Sequence, residues 1–223
     1  MRILFIFLLL SFHYINAHSQ INERVDSLSI EICKTFKAMV KPLDSVTIIE
    51  GFTQHLRNYF SKMEPEAISQ ALDKINTRLQ TTCDPYREYM TQFNSEHWRR
   101  VNKCPGPTIS PKEVNEFFAT DRFYYIESSG DTTMLHLTKD SWTDHLKGNT
   151  FSKLSLKRLS PLEFVISFKE SNHPIKKNMS KVGDQYYYNL ISKDKSSYLL
   201  CVSIKGLTTS SLFKLYPVEP ETR

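Results

Sequence analysis

Residues 185–204 read QYYYNLISKDKSSYLLCVSI, and this stretch decides the fold of the second half of the chain. Tyr186, Tyr188 and Leu190 alternate with Tyr187, Asn189 and Ile191. Tyr198, Leu200, Val202 and Ile204 alternate with Leu199, Cys201 and Ser203. Successive side chains on a β-strand point to opposite faces, so a repeat of two is the mark of a strand with one apolar face. Between the two runs, Lys193-Asp194-Lys195-Ser196 supplies turn chemistry. The stretch therefore reads as an antiparallel hairpin.

The same period extends outward from it. Phe164, Ile166 and Phe168 alternate with Val165, Ser167 and Lys169. Further strands are expected at 122–128, 132–138, 151–158 and 211–216, with Ser129-Gly130-Asp131 turning the chain between the first two. Six or seven short strands at near-regular spacing imply an antiparallel β-meander or a small open barrel.

Before residue 110 the period is helical. Val25, Leu28, Ile32, Phe36 and Met39 step by three and four, as do Ile49, Phe52, Leu56, Phe60 and Met63, and again Ile68, Leu72, Ile75 and Leu79 running on into Cys83. Lys41-Pro42 stops the first helix, Asp44 can cap the second, and Pro65 suits the first position of the third. Asp84-Pro85 opens a shorter fourth helix whose end blurs into Ser95-Glu-His-Trp-Arg-Arg100. Ser110-Pro111-Lys112-Glu113 is a capping box leading a short helix through Phe117 and Phe118, the nearest candidate to cover the sheet. The fold class is α+β, with an N-terminal helical segment of three to four helices and a C-terminal antiparallel sheet. The expected layout is a leader at 1–19, a helical domain at 20–100, a linker at 101–110, a β domain at 111–217 and a polar tail at 218–223.

Arg2 followed by the apolar run Ile3 to Phe12 and by Ala17-His18-Ser19 reads as a secretory signal peptide. Its removal after Ser19 leaves roughly 200 residues, enough for one large or two small domains. No second apolar run reaches transmembrane length. The expected location is secreted or periplasmic, with no membrane span after signal removal. In an oxidising compartment Cys33, Cys83, Cys104 and Cys201 read as disulfides. Cys33–Cys83 with Cys104–Cys201 is the favoured pattern, although parallel first and third helices would offset the first pair by roughly 10 Å. Cys83–Cys104 with Cys33–Cys201 is the competitor.

A formal charge of +5 is mild, and no dense basic stripe points to nucleic acid. His55, His97, His136, His145 and His173 show no metal-ligand spacing. His136 reads as a half-buried, hydrogen-bonded side chain in a strand. Thr143-Asp144-His145, following Trp142 in an expected turn, resembles a base with its orienting acid only superficially, because neighbours on a strand face opposite ways. No serine elbow and no phosphate-binding glycine loop occurs. No catalytic residue, cofactor or metal site is implied.

An exported chain opens with a helix bearing Glu31-Ile32-Cys33-Lys34, a second helical cysteine follows, and Phe118-Ala-Thr-Asp-Arg-Phe-Tyr-Tyr125 leads into a strand-rich part. This layout resembles uncharacterised secreted proteins of Bacteroidetes-type bacteria, with Asp121 where that pattern has glycine and Lys139 where it has arginine. The resemblance implies a periplasmic or secreted location and a small antiparallel sheet, and it assigns no site. The reading the sequence favours is a non-enzymatic binding or interaction protein whose partner is unknown. The alternative is a carrier of a small apolar ligand on the sheet's concave face, with Tyr125, Phe164, Phe168 and Tyr188 facing it. A hydrolase comes third.

Overall fold

The computed structural model describes residues 24–39, 43–61, 63–91, 97–127 and 130–219. The leader read at 1–19, the Lys41-Pro42 stop and the last four residues of the tail lie outside them. The N-terminal half is helical. Helix α1 covers 24–38, α2 Ser45–Phe60, α3 Pro65–Thr82 and α4 Asp84–Thr91. Asp44 caps α2 in a reciprocal box with Thr47, and Pro65 opens α3. Val25, Leu28, Ile32 and Phe36 meet Leu56, Ile75, Leu79 and Tyr86 in one buried core. Ile49, expected on the buried stripe of α2, is 64% exposed. The buried contact next to it is made by the backbone of Gly51, where a β-carbon would stand 2.3 Å from Phe36 Cε1. Cys33 and Cys83 are bonded, with Cα atoms 5.6 Å apart, so α1 and the end of α3 lie within bridging reach.

The C-terminal half is a sheet that closes on itself. Its strands are β1 (Trp98–Val101), β2 (Arg122–Ile126), β3 (Thr132–Leu137), β4 (Ser141–Leu146), β5 (Thr150–Arg158), β6 (Glu163–Ser171), β7 (Gln185–Lys193), β8 (Tyr198–Ile204) and β9 (Ser210–Pro217). Neighbours from β2 to β9 pair antiparallel in chain order, and β9 also pairs with β2. The expected meander is therefore present, but it forms an eight-stranded closed barrel and not an open sheet. Closure removes the free edges that an open sheet would expose.

Two strands went unread in the sequence. Ser141–Leu146 was expected to be a turn and is β4, its Trp142 and Asp144 buried and His145 exposed. Trp98–Arg100, expected at the blurred end of a helix, and Val101, expected to open the linker, together form β1. It pairs with the first half of β9, Trp98 opposite Phe213 and Val101 opposite Ser210. β2 meets β9 only at its far end, Phe123 opposite Pro217 and Tyr124 opposite Tyr216. β1 thus fills the stretch of β9 edge that β2 leaves unpaired.

The barrel has a filled end and a roomier one. Helix α5 (Pro111–Ala119), capped by Ser110 and Glu113, inserts Val114 and Phe117 at the filled end. Phe117 packs 5.1 Å from Phe123 and 5.1 Å edge-on from Tyr198, ring centre to ring centre. The segment between β1 and α5 lies against the outer wall. There Thr108 and Ile109 donate backbone hydrogen bonds to the Ile191 carbonyl, and Cys104 is bonded to Cys201. At the other end the β6–β7 connection carries the short helix α6 (Lys176–Met179).

The helical half sits over that second end. Arg78 of α3 donates to Asp184 at 2.6 Å and pairs with Asp26 of α1 at 3.5 Å. Thr81 donates to the Met179 carbonyl at 3.2 Å. Asp84 accepts from the Thr208 backbone at 2.8 Å, and Arg87 donates to the Ser211 hydroxyl at 2.7 Å. The helices form a lid, tied by charge-assisted hydrogen bonds to the loops after β6 and β8.

Candidate ligand cavity

Alternation puts every second side chain of each strand inside the barrel. At the filled end these are Phe123, Leu137, Leu156, Phe164, Leu190, Leu200 and Leu215, closed by Phe117. Toward the lid the inward positions change to Tyr125, Trp142, Asp144, Phe168, Tyr188, Val202 and Phe213. They line a partly open cavity of about 280 Å³, with Arg87 and Met90 of α4 and Lys176 and Met179 of α6 at its lid end. β1 contributes Trp98 and Arg100 to its wall. Trp98 stacks on Phe213 at 4.4 Å and donates its indole N–H to the Ile126 carbonyl at 2.7 Å, which pins the inserted strand to β2.

Of the four aromatic residues the sequence nominated, Tyr125, Phe168 and Tyr188 line this cavity. Phe164 sits deeper, stacked against Tyr188 at 5.1 Å and packed on Phe117, so it belongs to the filled end. Sequence reading missed Trp98, Arg100, Trp142 and Asp144. The available signal was Trp142 and Asp144 two apart in Ser141–Leu146, which is strand spacing. A carboxylate on the apolar face hid it.

Asp144 is a buried carboxylic acid in the cavity wall. Burial pushes its carboxyl up to about 7. The Lys176 charge opposes the rise, Glu127 adds to it, and hydrogen bonds from Trp142 and Tyr125 work against it. Desolvation prevails because a carboxylate loses most of its hydration in an aromatic enclosure. The Trp142 indole N–H donates to Asp144 Oδ1 at 2.8 Å. Burial also raises the Tyr125 and Tyr188 hydroxyls well above their ordinary values, with Asp144 adding to both. Nearby, Lys176 and Glu127 pair at 2.8 Å, and the Thr133 hydroxyl donates to Glu127 at 3.0 Å.

On the opposite wall two arginines come together. Arg87 is held down to about 10 by burial and by the Arg100 charge, against the pull of Asp84. Burial lowers Arg100 as well, against Glu88 and Asp84. Both remain cations at neutral pH. The three guanidinium nitrogens of Arg100 are closed off from solvent and have no hydrogen-bond partner among the described residues. Asp84 Oδ1 and the Thr209 hydroxyl are unpartnered in the same way.

A second cleft of about 360 Å³ runs along the seam between α3 and the loops after β6 and β8. Its charged lining is the Arg78–Asp184 pair and Lys205. It shares Thr81, Tyr186 and Ile204 with the barrel cavity, so these side chains form the partition between the two volumes.

The histidines do not gather. His55 of α2 lies 2.7 Å from the Thr35 hydroxyl of α1, half-buried. His173 Nδ1 accepts from the Ile175 and Lys176 amides ahead of α6. His136, expected to be half-buried, is exposed on the outer face of β3, because the period-two pattern that buries Leu135 and Leu137 turns it to solvent. Among the described residues no group of three His, Cys, Asp or Glu side chains could hold a metal ion. No described helix is long and apolar enough to cross a membrane. Comparison with models of protein families and with curated proteins finds no match.

Proposed function

We propose that the protein is an exported carrier that holds a small, largely apolar ligand inside the barrel beneath the helical lid. The observation that carries this reading is the cavity of about 280 Å³ left between the Phe117 plug and the lid, walled by aromatic side chains with a few fixed polar groups. Small-molecule sites have this make-up, and the volume falls just below their usual range of roughly 300–1,000 Å³, which favours a small ligand. A barrel meant only as a scaffold would be filled along its whole length by its own side chains, as the far end is. Export rests on the leader read at 1–19 together with the two disulfides. The interaction-module reading draws less support. Among the described residues the exposed large apolar side chains are Ile30, Val46 and Ile49 on α1 and α2, Met134 on β3, and Leu159, Ile175 and Val182 in connections, so they form no single patch there.

Both tryptophans of the chain, Trp98 and Trp142, line the cavity, so their fluorescence reports on it directly. Titration with the neutral probe N-phenyl-1-naphthylamine is expected to quench them and to brighten the probe, saturably. Val202→Phe, which adds volume at the cavity wall, is expected to abolish the response while leaving the circular-dichroism spectrum unchanged. A flat titration of the wild type, or binding that survives the filled cavity, rules out the carrier.

A further inference from the structure

We infer that the ligand is an organic acid, whose single carboxylate is received by Arg100 and Arg87 at the lid end of the cavity while its apolar body lies against Tyr188, Trp142 and Phe213. This rests on the carrier reading and specifies its ligand. Arg100 enters the barrel wall only because β1 is inserted beside β9, where its partner across the ladder is Ser211. From there its guanidinium lines the cavity, withdrawn from solvent and without an acceptor among the described residues. A guanidinium offers five donors in a planar fork, and leaving them buried and unpaired costs free energy that an acceptor would recover. Arg87, lining the same volume from α4, spends its donors on Ser211 and on the Thr209 carbonyl. It adds a second positive charge without competing for the same acceptor.

The charges indicate one negative group. Arg87 and Arg100 are two cations, and Asp84 acts on both of them as a partial counter-charge. Glu88 acts on Arg100 as well but is exposed, where solvent screens it. Across the cavity Lys176 and Glu127 neutralise each other. The site is therefore short of about one negative charge, which a carboxylate supplies and a phosphate dianion would exceed. The carboxylate matches the flat guanidinium fork in shape as well. Asp144, on the far wall, would repel the acid when ionised and accept its apolar body when protonated.

The test compares 2-naphthoate with its neutral isostere 2-naphthamide by calorimetry at about pH 6, where the acid is ionised and Asp144 is mainly protonated. The acid is expected to bind about tenfold more tightly or better, and the advantage should shrink as salt is added. Arg100→Met is expected to bring the two affinities together while retaining the amide. Arg100→Lys, a milder change, is expected to keep only part of the advantage. Equal binding of acid and amide by the wild type overturns the acid while leaving the carrier standing, and so does an advantage undiminished in both variants. Those results would fit a guanidinium that serves Asp84 through intervening water. Binding of neither compound overturns both readings.

Discussion

Asp144 is a residue whose environment contradicts its chemistry. An aspartate on the inward face of β4, surrounded by Tyr125, Trp142 and Tyr188, is held near neutrality by loss of solvent more than by any partner. Its carboxyl titrates at about 7 in the fold and near 3.8 when unfolded. The folded chain therefore keeps the proton longer than the unfolded chain does. The stabilisation relative to the ionised form is complete below about pH 4 and is lost as the pH rises through 7. Asp144→Asn keeps the acceptor for the Trp142 N–H and removes the titration. Urea denaturation at several pH values should show the variant more stable than the wild type at pH 8, by up to about 4 kcal/mol on the usual 1.36 kcal/mol per unit. The gap should close toward pH 4, and parallel curves for the two proteins would refute this account of Asp144. Arg100 poses the same lesson with the opposite charge. In a sequence, Trp98-Arg-Arg-Val101 looks like a solvated fragment, and nothing local says which arginine turns inward.

At the scale of the elements, helix α2 shows how one position overrides propensity. Gly51 lies inside the helix, where alanine would ordinarily add about 1 kcal/mol of stability. Here the glycine backbone is pressed against Phe36, whose ring is stacked on Tyr86 at 5.9 Å and packed on Phe52 at 6.2 Å. The ring has no free side toward which to move. Gly51→Ala should therefore lower stability, by about 1–3 kcal/mol of overpacking set against the propensity gain, read as a lower thermal midpoint. A rise in the midpoint would show that Phe36 can yield. The helix stripes themselves were legible, because apolar residues at three and four spacing need only their own helix to declare a face. Ile49 was the exception on α2, since a close helix crossing at a glycine changes which residues reach the core. The two missed strands failed for related reasons. β4 carries its aspartate on the inner face, and β1 is four residues long and becomes a strand only because β9 has a vacant edge.

The molecule as a whole is a barrel with a plug at one end and a helical lid at the other. The lid is held by Arg78, which joins Asp26 of α1 to Asp184 of the β6–β7 loop, with Lys181 also paired to Asp26. Arg78 is 16% exposed, so its pairs are partly shielded from water and salt. Arg78→Met would remove the cation that Asp26 and Asp184 share, leaving Asp26 its pair with Lys181. The lid should open more often, and stopped-flow measurement of N-phenyl-1-naphthylamine release should show dissociation several-fold faster, with hydrogen exchange rising in α3 before it rises in β5 or β6. Unchanged release with the same loss of stability would place ligand exit elsewhere. Much of this plan was readable from residue order alone. The switch from a period near 3.6 to a period of two, the caps at Asp44 and Ser110, and the even set of cysteines are local or compositional facts, and each follows from which side of an element is apolar. Closure of the sheet, the insertion of β1, the inward turn of Asp144 and Arg100 and the seating of the lid were decided only in three dimensions. They depend on which strand edges and which loops meet across long stretches of sequence. A polar side chain destined for the inside of a barrel carries no local mark to distinguish it from one bound for solvent.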